Sequence, residues 1–277
     1  MEQTKQTLGE IMKEYEHQHR RKLSKDSYIL MRLDGKSFHS YTRGLKKPYD
    51  LKLMEAMDNT LLKLCEQIQG VRFGYVESDE ISLLISNDNS HEPKIDGNEP
   101  ELWMGGIEAK MLSLSAAIAS TQFNSYREKQ LVKAGLAKTD PNSFHKTTAL
   151  FDSRLWTFPK TSEGRDLVSK YFFWRVKDSY KNSVTMAASV YFSNKELHGL
   201  NTAARINKLK EINQPWESLP DGFKYGRYAV KEAKEAEVSY FDKRTNTVEK
   251  IITKRKKWPV RPLEQLFDFR EILEVQY

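Results

Sequence analysis

The sequence predicts an α+β fold: an antiparallel sheet of the ferredoxin-like split βαβ type, with helices on one face and a helical and small β extension at the C-terminal end. Three observations carry this reading. Apolar runs of strand length alternate with apolar stripes at three- and four-residue spacing, in the order strand, helix, strand, strand, helix, strand. The second and third strands are joined by the tight connection Glu77-Ser78-Asp79, which makes them an antiparallel pair. The 277 residues, 39% hydrophobic and 11% aromatic, are enough for a sizeable core and too apolar for a disordered chain.

Tyr28 to Leu33 reads as a largely buried strand that stops at Asp34-Gly35. Pro48-Tyr49-Asp50 opens a helix with Asp50 as N-cap, and Met54, Met57, Leu61, Leu64 and Ile68 form its apolar stripe before Gly70 closes it. Val71 to Val76 and Ile81 to Ser86 are the next two strands. Asp88 to Glu101, rich in Asn, Pro and Gly, reads as a loop. Ile107, Met111, Leu114 and Ile118 mark the second helix, and Leu150 to Phe158, ended by Pro159, the fourth strand. This order is also that of polymerase palms. Beyond it, Asp166 to about Phe192 predicts a long helix and Gly199 to Trp216 more helix. Tyr225 to Glu232, Glu237 to Phe241 and Thr247 to Thr253 predict a small antiparallel meander. The division that follows is a palm-like catalytic domain over 1–160 and, packed on it, a helical and β-meander region over 161–277.

The net charge of +7 suits a polyanionic partner such as nucleic acid or a phosphate-bearing ligand. With one cysteine, Cys65, set among leucines, a disulfide framework and a cysteine-rich zinc site are excluded. No apolar run approaches the ~20 residues that span a bilayer, and Met1 to Arg21, polar and mixed in charge, has no apolar stretch of the signal-peptide kind. The expectation is a soluble protein of a reducing, cytoplasmic compartment, without a membrane partner.

Two acids stand out. Asp34 ends the first strand and Asp79 lies in the hairpin between the second and third. In the split βαβ order the first strand sits beside the third, so the hairpin delivers Asp79 near Asp34. Paired carboxylates repel unless a cation or proton intervenes. Mg²⁺ accepts such oxygens and keeps its remaining positions for water and phosphate. Taken singly, Asp34-Gly35 also reads as a turn and Asp79-Glu80 as a solvated hairpin tip. Gly35-Lys36-Ser37-Phe38-His39 follows the strand; its backbone N–H groups form a candidate anion-binding nest, with Lys36 and Lys47 as cations. Neither a Walker A pattern nor GxGxxG is present. Arg175, Asp178 and Asn182 share one stripe of the long helix, read either as a solvated polar face or as a row facing an RNA end. Lys254-Arg255-Lys256-Lys257-Trp258 joins basic residues to an aromatic, a combination that suits RNA as well as a solvated strand end.

Five ordered blocks resemble the tRNA(His) guanylyltransferase superfamily: Arg32 to His39, Lys47 to Asp50, Gly74 to Ser82, Phe151 to Arg154, and Trp174 to Ser183. The resemblance runs from about Tyr15 to Tyr225. It implies a palm-like catalytic domain, two Mg²⁺ ions, ATP or GTP as substrates, tRNA as partner and a homotetramer. By motif, Asp34, the carbonyl of Gly35 and Asp79 would bind the metals. Lys36, Ser37, Phe38 and His39 with Ser78 would hold the triphosphate, Lys47, Asp50 and Lys110 further nucleotide, and Asn182 a nucleotide or RNA end. Tyr180-Lys181-Asn182-Ser183 stands where eukaryotic members carry His-Ile-Asn-Asn, and Gly106-Ile107 where they carry paired arginines. Both departures are similar to the bacterial and phage-type branch, which implies 3′–5′ nucleotide addition in templated repair of 5′-truncated tRNA. The alternatives are single-G addition to tRNA(His), a palm-type nucleotidyl cyclase, and a non-catalytic RNA-binding module.

Overall fold

The computed structural model describes residues 6–87, 101–135, 148–242, 244, 246–265 and 269. In chain order, α1 (Leu8–Gln18) precedes β1 (Ser27–Gly35), the short α2 (Phe38–Tyr41) and α3 (Leu51–Gln67). Then come β2 (Val71–Glu77), β3 (Glu80–Ile85), a 3₁₀ turn at Trp103–Gly106, α4 (Glu108–Lys133) and β4 (Phe151–Pro159). The C-terminal part holds α5 (Ser162–Tyr191), α6 (Asn194–Leu197), α7 (Thr202–Glu211), a 3₁₀ turn at Trp216–Ser218 and α8 (Asp221–Lys224). It ends with β5 (Arg227–Val230), β6 (Glu232–Asp242), β7 (Thr247–Lys257) and β8 (Val260–Pro262).

The caps follow the sequence. The Asp50 carboxylate accepts the Leu53 amide at 2.9 Å and starts α3. The Thr161 hydroxyl accepts the Gly164 amide at 3.2 Å and starts α5. The main sheet has six strands in the order β4-β1-β3-β2-β5-β8, and every pair is antiparallel. Its first four strands are the expected split βαβ core.

Helices cover both faces. Ile29, Met31 and Leu33 pack with Met57, Leu61 and Leu64 of α3 and with Met111 and Phe123 of α4. On the opposite face Leu30, Phe73, Tyr75 and Leu84 pack with Val168, Phe172 and Val176 of α5. The expectation of helices on one face is corrected by α5. It also explains why β1 reads as a continuous apolar run, since a strand buried on both faces has no solvent side to alternate toward. Burial of each large side chain here, such as Phe73, Phe123 or Phe172, contributes ~1.5–3 kcal/mol. Cys65 is a buried free thiol of the α3 core, as its apolar neighbours indicated.

A second correction concerns the C-terminal strands. They form no single meander. β5 joins the main sheet beside β2, and β8 pairs with β5. β6 and β7 pair with each other from Glu232↔Lys257 to Asp242↔Thr247 as a separate two-stranded ribbon. The helical stretch after α5 is split as well: α6, α7 and Trp216 close a small cluster around Val184, Ala187 and Ala188. No described helix is long and apolar enough to cross a membrane.

Candidate active site

β1 carries Asp34 to the rim of the sheet. β3 lies beside it with Asp34 opposite Glu80, so the β2–β3 turn sets Asp79 against the end of β1. The Gly35 amide donates to the Asp79 carbonyl at 3.1 Å and ties the two acidic segments together. Burial raises the Asp79 carboxyl above its ordinary pKa, and the nearby Asp34 adds to the effect. The backbone is unusual at both places: Ser78, φ 43°, and Ser37, φ 55°, are left-handed without being glycine. Gly35 has no room for a side chain, because a Cβ there would lie 2.3 Å from the Phe38 ring. Phe38 in turn is fixed against Tyr41, Phe123 and Phe151, with ring centroids 5.1 to 5.4 Å apart.

A pocket of about 580 Å³ opens beside the two acids, within the range of small-ligand sites. Of the residues singled out from the sequence, Asp34, Gly35, Ser37, Phe38, His39, Lys47, Asp50, Ser78, Asp79 and Asn182 line it. Lys36 is exposed outside the lining, and its amide donates to the Leu150 carbonyl at 2.8 Å. With the Gly35 amide also committed, the expected nest shrinks to the first amides of α2. Lys110, in the first turn of α4, is not among the lining residues. Lys22 bridges to Ile107 and the Leu23 amide donates to the Gly106 carbonyl, which ties the start of α4 to the segment before β1. About one turn on from Lys110, the Ser115 hydroxyl bonds Ser153 at 2.9 Å, and Ser153 pairs with Leu33 beside Asp34.

Arg227 and Phe223 are among the lining residues that escaped the sequence reading. Arg227 sits in the pocket wall because β5 joins β2; it is held by Asp58 at 2.5 Å and by the Gly222 carbonyl at 2.9 Å. Phe223 closes the same wall against Tyr49, 5.2 Å between ring centroids. Nothing in local spacing announces either, since both depend on a strand pairing across about 150 residues of chain.

The strand registers align a row of acids across four strands: Asp152, Asp34, Glu80 and Glu77. Guanidinium groups back this row. Arg154 reaches Asp152 at 3.1 Å and Asp34 at 3.9 Å. Arg32 lies 3.7 Å from Glu80. Arg175, its side chain only 6% exposed, bonds Glu80 at 2.6 Å, Glu77 at 2.7 Å and Asp178 at 3.2 Å. Three carboxylates around one guanidinium leave an excess of negative charge, and burial pushes the Glu77 carboxyl up to about 8. The expected RNA-facing row is therefore divided. Arg175 is turned into the protein by Glu77 and Glu80, while Asp178 accepts from Asn182 at 3.4 Å and Asn182 reaches the pocket. Of the basic run, Lys256 and Lys257 are exposed on β7, and the side chains of Lys254 and Arg255 lie outside the described ones.

Among the described residues no three His, Cys, Asp or Glu side chains gather as a metal site. What remains is an oxygen-only set, the carboxylates of Asp34 and Asp79 with the Gly35 carbonyl. That set fits a hard cation which keeps water and phosphate among its ligands. The fit is also electrostatic, because a cation relieves the penalty on the buried Asp79.

An acidic pair at the rim of a palm-like sheet, beside a pocket of nucleotide size, defines an enzyme of the nucleotidyltransferase class. The sequence model of the tRNAHis guanylyltransferase family matches residues 9–159, and the chain belongs to that family. Among solved structures it is similar to a bacterial tRNA(His) guanylyltransferase-like protein in complex with ATP, at 30% identity and a TM-score of 0.75, over 98% of this chain and 99% of that one. A structure of such a protein in complex with GTP matches at 28% identity and a TM-score of 0.69, over 98% and 97% of the two chains. Among curated relatives, protein R259 of Acanthamoeba polyphaga mimivirus, itself uncharacterised, is 29% identical over 79% of this chain and 75% of its own length. The tRNA(His) guanylyltransferase of Debaryomyces hansenii is 25% identical over 63% of this chain and 57% of that protein.

Proposed function

We propose that the chain adds nucleotides to the 5′ end of tRNA in the 3′–5′ direction, as templated repair of 5′-truncated tRNA. The observation that carries this is the approach of Asp34 and Asp79 at the mouth of a pocket of nucleotide size. The ATP- and GTP-bound relatives support a triphosphate in that pocket. Gly106 and Ile107, which stand where eukaryotic members carry paired arginines, favour repair over a dedicated tRNA(His) role.

In this reading residues 1–160 carry the chemistry, and 161–277 close the pocket and hold RNA. Asp34, the Gly35 carbonyl and Asp79 would hold two Mg²⁺ ions, which would lower the pKa of an attacking hydroxyl and balance phosphate charge. Ser37, Phe38, His39 and Ser78 seat a triphosphate. Lys47 and Arg227 supply positive charge, and Asn182 a hydrogen-bonding amide. For a 5′-monophosphate RNA, an oxygen of that phosphate attacks the α-phosphorus of ATP and releases pyrophosphate. The 3′-hydroxyl of a bound nucleotide then attacks the activated 5′-phosphate and releases AMP. A 5′-triphosphate RNA enters at the second step. No protein nucleophile is needed, because the work is positioning and charge stabilisation. Asp178 and Lys254 to Lys257 add RNA contacts, and the assembly is a tetramer.

The test is incubation with labelled 5′-truncated tRNAs and each nucleoside triphosphate in turn. Addition that restores pairing with the opposite strand is the expected result. A single G on tRNA(His) alone, or a cyclic nucleotide formed without RNA, would overturn this reading.

A further inference from the structure

The acid row is graded in exposure. Glu77 is 4% exposed, Glu80 13%, Asp34 39% and Asp152 52%. The row is thus closed toward β2 and open toward β4, the edge strand of the sheet. The pocket is lined by α2, α3, the C-terminal half of α5 and the start of β5, with no residue of β4, so a second reactant has the β4 side by which to approach.

That side carries two groups the reaction scheme does not use. Arg154 on β4 is 55% exposed and lies 3.9 Å from Asp34, a cation at the margin of the catalytic pair. Trp174 on α5 is 52% exposed. The Arg175 guanidinium sits 4.7 Å from its ring centre, and Tyr171 meets it edge-on at 5.9 Å. Arg175 takes one face of the indole, so the solvent-exposed part is free to receive another flat group. Trp174 and Arg154 belong to one surface: Tyr171 contacts Trp156 of β4 at 5.3 Å, and Arg32 lies 5.9 Å from the Trp156 ring centre. Along α5, Lys170, Trp174, Lys177 and Lys181 follow at i, i+4, i+7 and i+11, all exposed, next to the pocket residue Asn182. An aromatic between cations is the pattern on which nucleic-acid bases stack while phosphates are neutralised.

We propose that this open side of the acid row receives the 5′ end of the RNA, with Trp174 as the platform for a base near that end and Arg154 as a contact to its phosphate. The inference rests on the proposed function above. It moves the RNA-facing stripe of α5 from Arg175 to the outward row through Trp174.

The experiment measures binding of a labelled 5′-truncated tRNA and, separately, of ATP, together with steady-state extension, for the wild type, Trp174→Ala, Trp174→Phe and Arg154→Ala. Trp174→Ala is expected to weaken RNA binding about ten-fold. The loss falls on the RNA KM, with ATP affinity at the wild-type value, and Trp174→Phe recovers most of it. Arg154→Ala is expected to weaken binding evenly across RNA sequences and to lower the salt dependence by about one phosphate contact. Wild-type RNA affinity in Trp174→Ala and Arg154→Ala would overturn the proposal. So would a parallel loss of ATP affinity in Trp174→Ala, which marks a structural role, or dissociation of an oligomer with unchanged RNA affinity, which marks a contact between copies. A wild-type chain that extends RNA while these variants are unaffected sinks this inference alone. A wild-type chain that neither binds nor extends RNA sinks the functional reading with it.

Discussion

At the scale of single residues, the role proposed for Asp79 sets chemistry against stability. Burial and the charge of Asp34 raise its folded pKa, so its stabilising contribution is present at low pH and is lost as pH rises through that value. Without divalent metal at pH 8, Asp79→Asn should therefore melt above the wild type; with magnesium the order should reverse, both read by thermal melts. Glu77 follows the same sign. Its pKa rises from 4.5 to about 8, so wild-type stability in metal-free buffer should fall between pH 5 and pH 9. Glu77→Gln should give a flatter profile; an unchanged slope would remove Glu77 as its source. Gly35→Ala forces a Cβ to 2.3 Å from the Phe38 ring, which costs ~1–3 kcal/mol if the loop is to keep its path. A lower urea midpoint with reduced activity is expected. Both acids and Gly35 were legible in the sequence because an acid at a strand end and a glycine beside it are local patterns. The charge balance around Glu77 was not, because it depends on Arg175 arriving from α5, about 100 residues away.

At the scale of elements, the β2–β3 hairpin is held in place by α5 through Arg175. Breaking a buried ion network by removing one partner costs about 3–5 kcal/mol. Arg175→Leu should therefore lower the denaturation midpoint with little change in slope. Arg175→Lys should recover only part of the loss, since an ammonium cannot reproduce the paired bonds to Glu80 and Glu77. The stripe Arg175, Asp178, Asn182 was visible as a pattern, but a pattern has no direction. A polar stripe is normally read as solvent-facing, and here two buried glutamates turn its first member inward. β1, α3, β2 and β3 were legible to within about two residues, because they combine apolar periodicity with Asp50 and Gly70 as boundary signals. β5 was visible as a strand, yet its partner β2 was not, since strand pairing at long range leaves no local trace.

At the scale of the whole molecule, a six-stranded sheet covered on both faces brings together residues from Asp34 to Arg227 around one pocket. The family resemblance identified ten of the twenty-four residues that line the pocket, and Lys36 and Lys110 are not among the lining. The account depends most on Asp34 and Asp79 acting together to hold the metal beside the nucleotide. The most direct measurement is the affinity of a non-hydrolysable ATP analogue with and without Mg²⁺, for the wild type, Asp34→Asn, Asp79→Asn and the double variant. Joint action requires that Mg²⁺ tighten wild-type binding, that either substitution remove the gain, and that the double variant lose no more than a single one. A gain from Mg²⁺ that survives in both single variants would contradict the account.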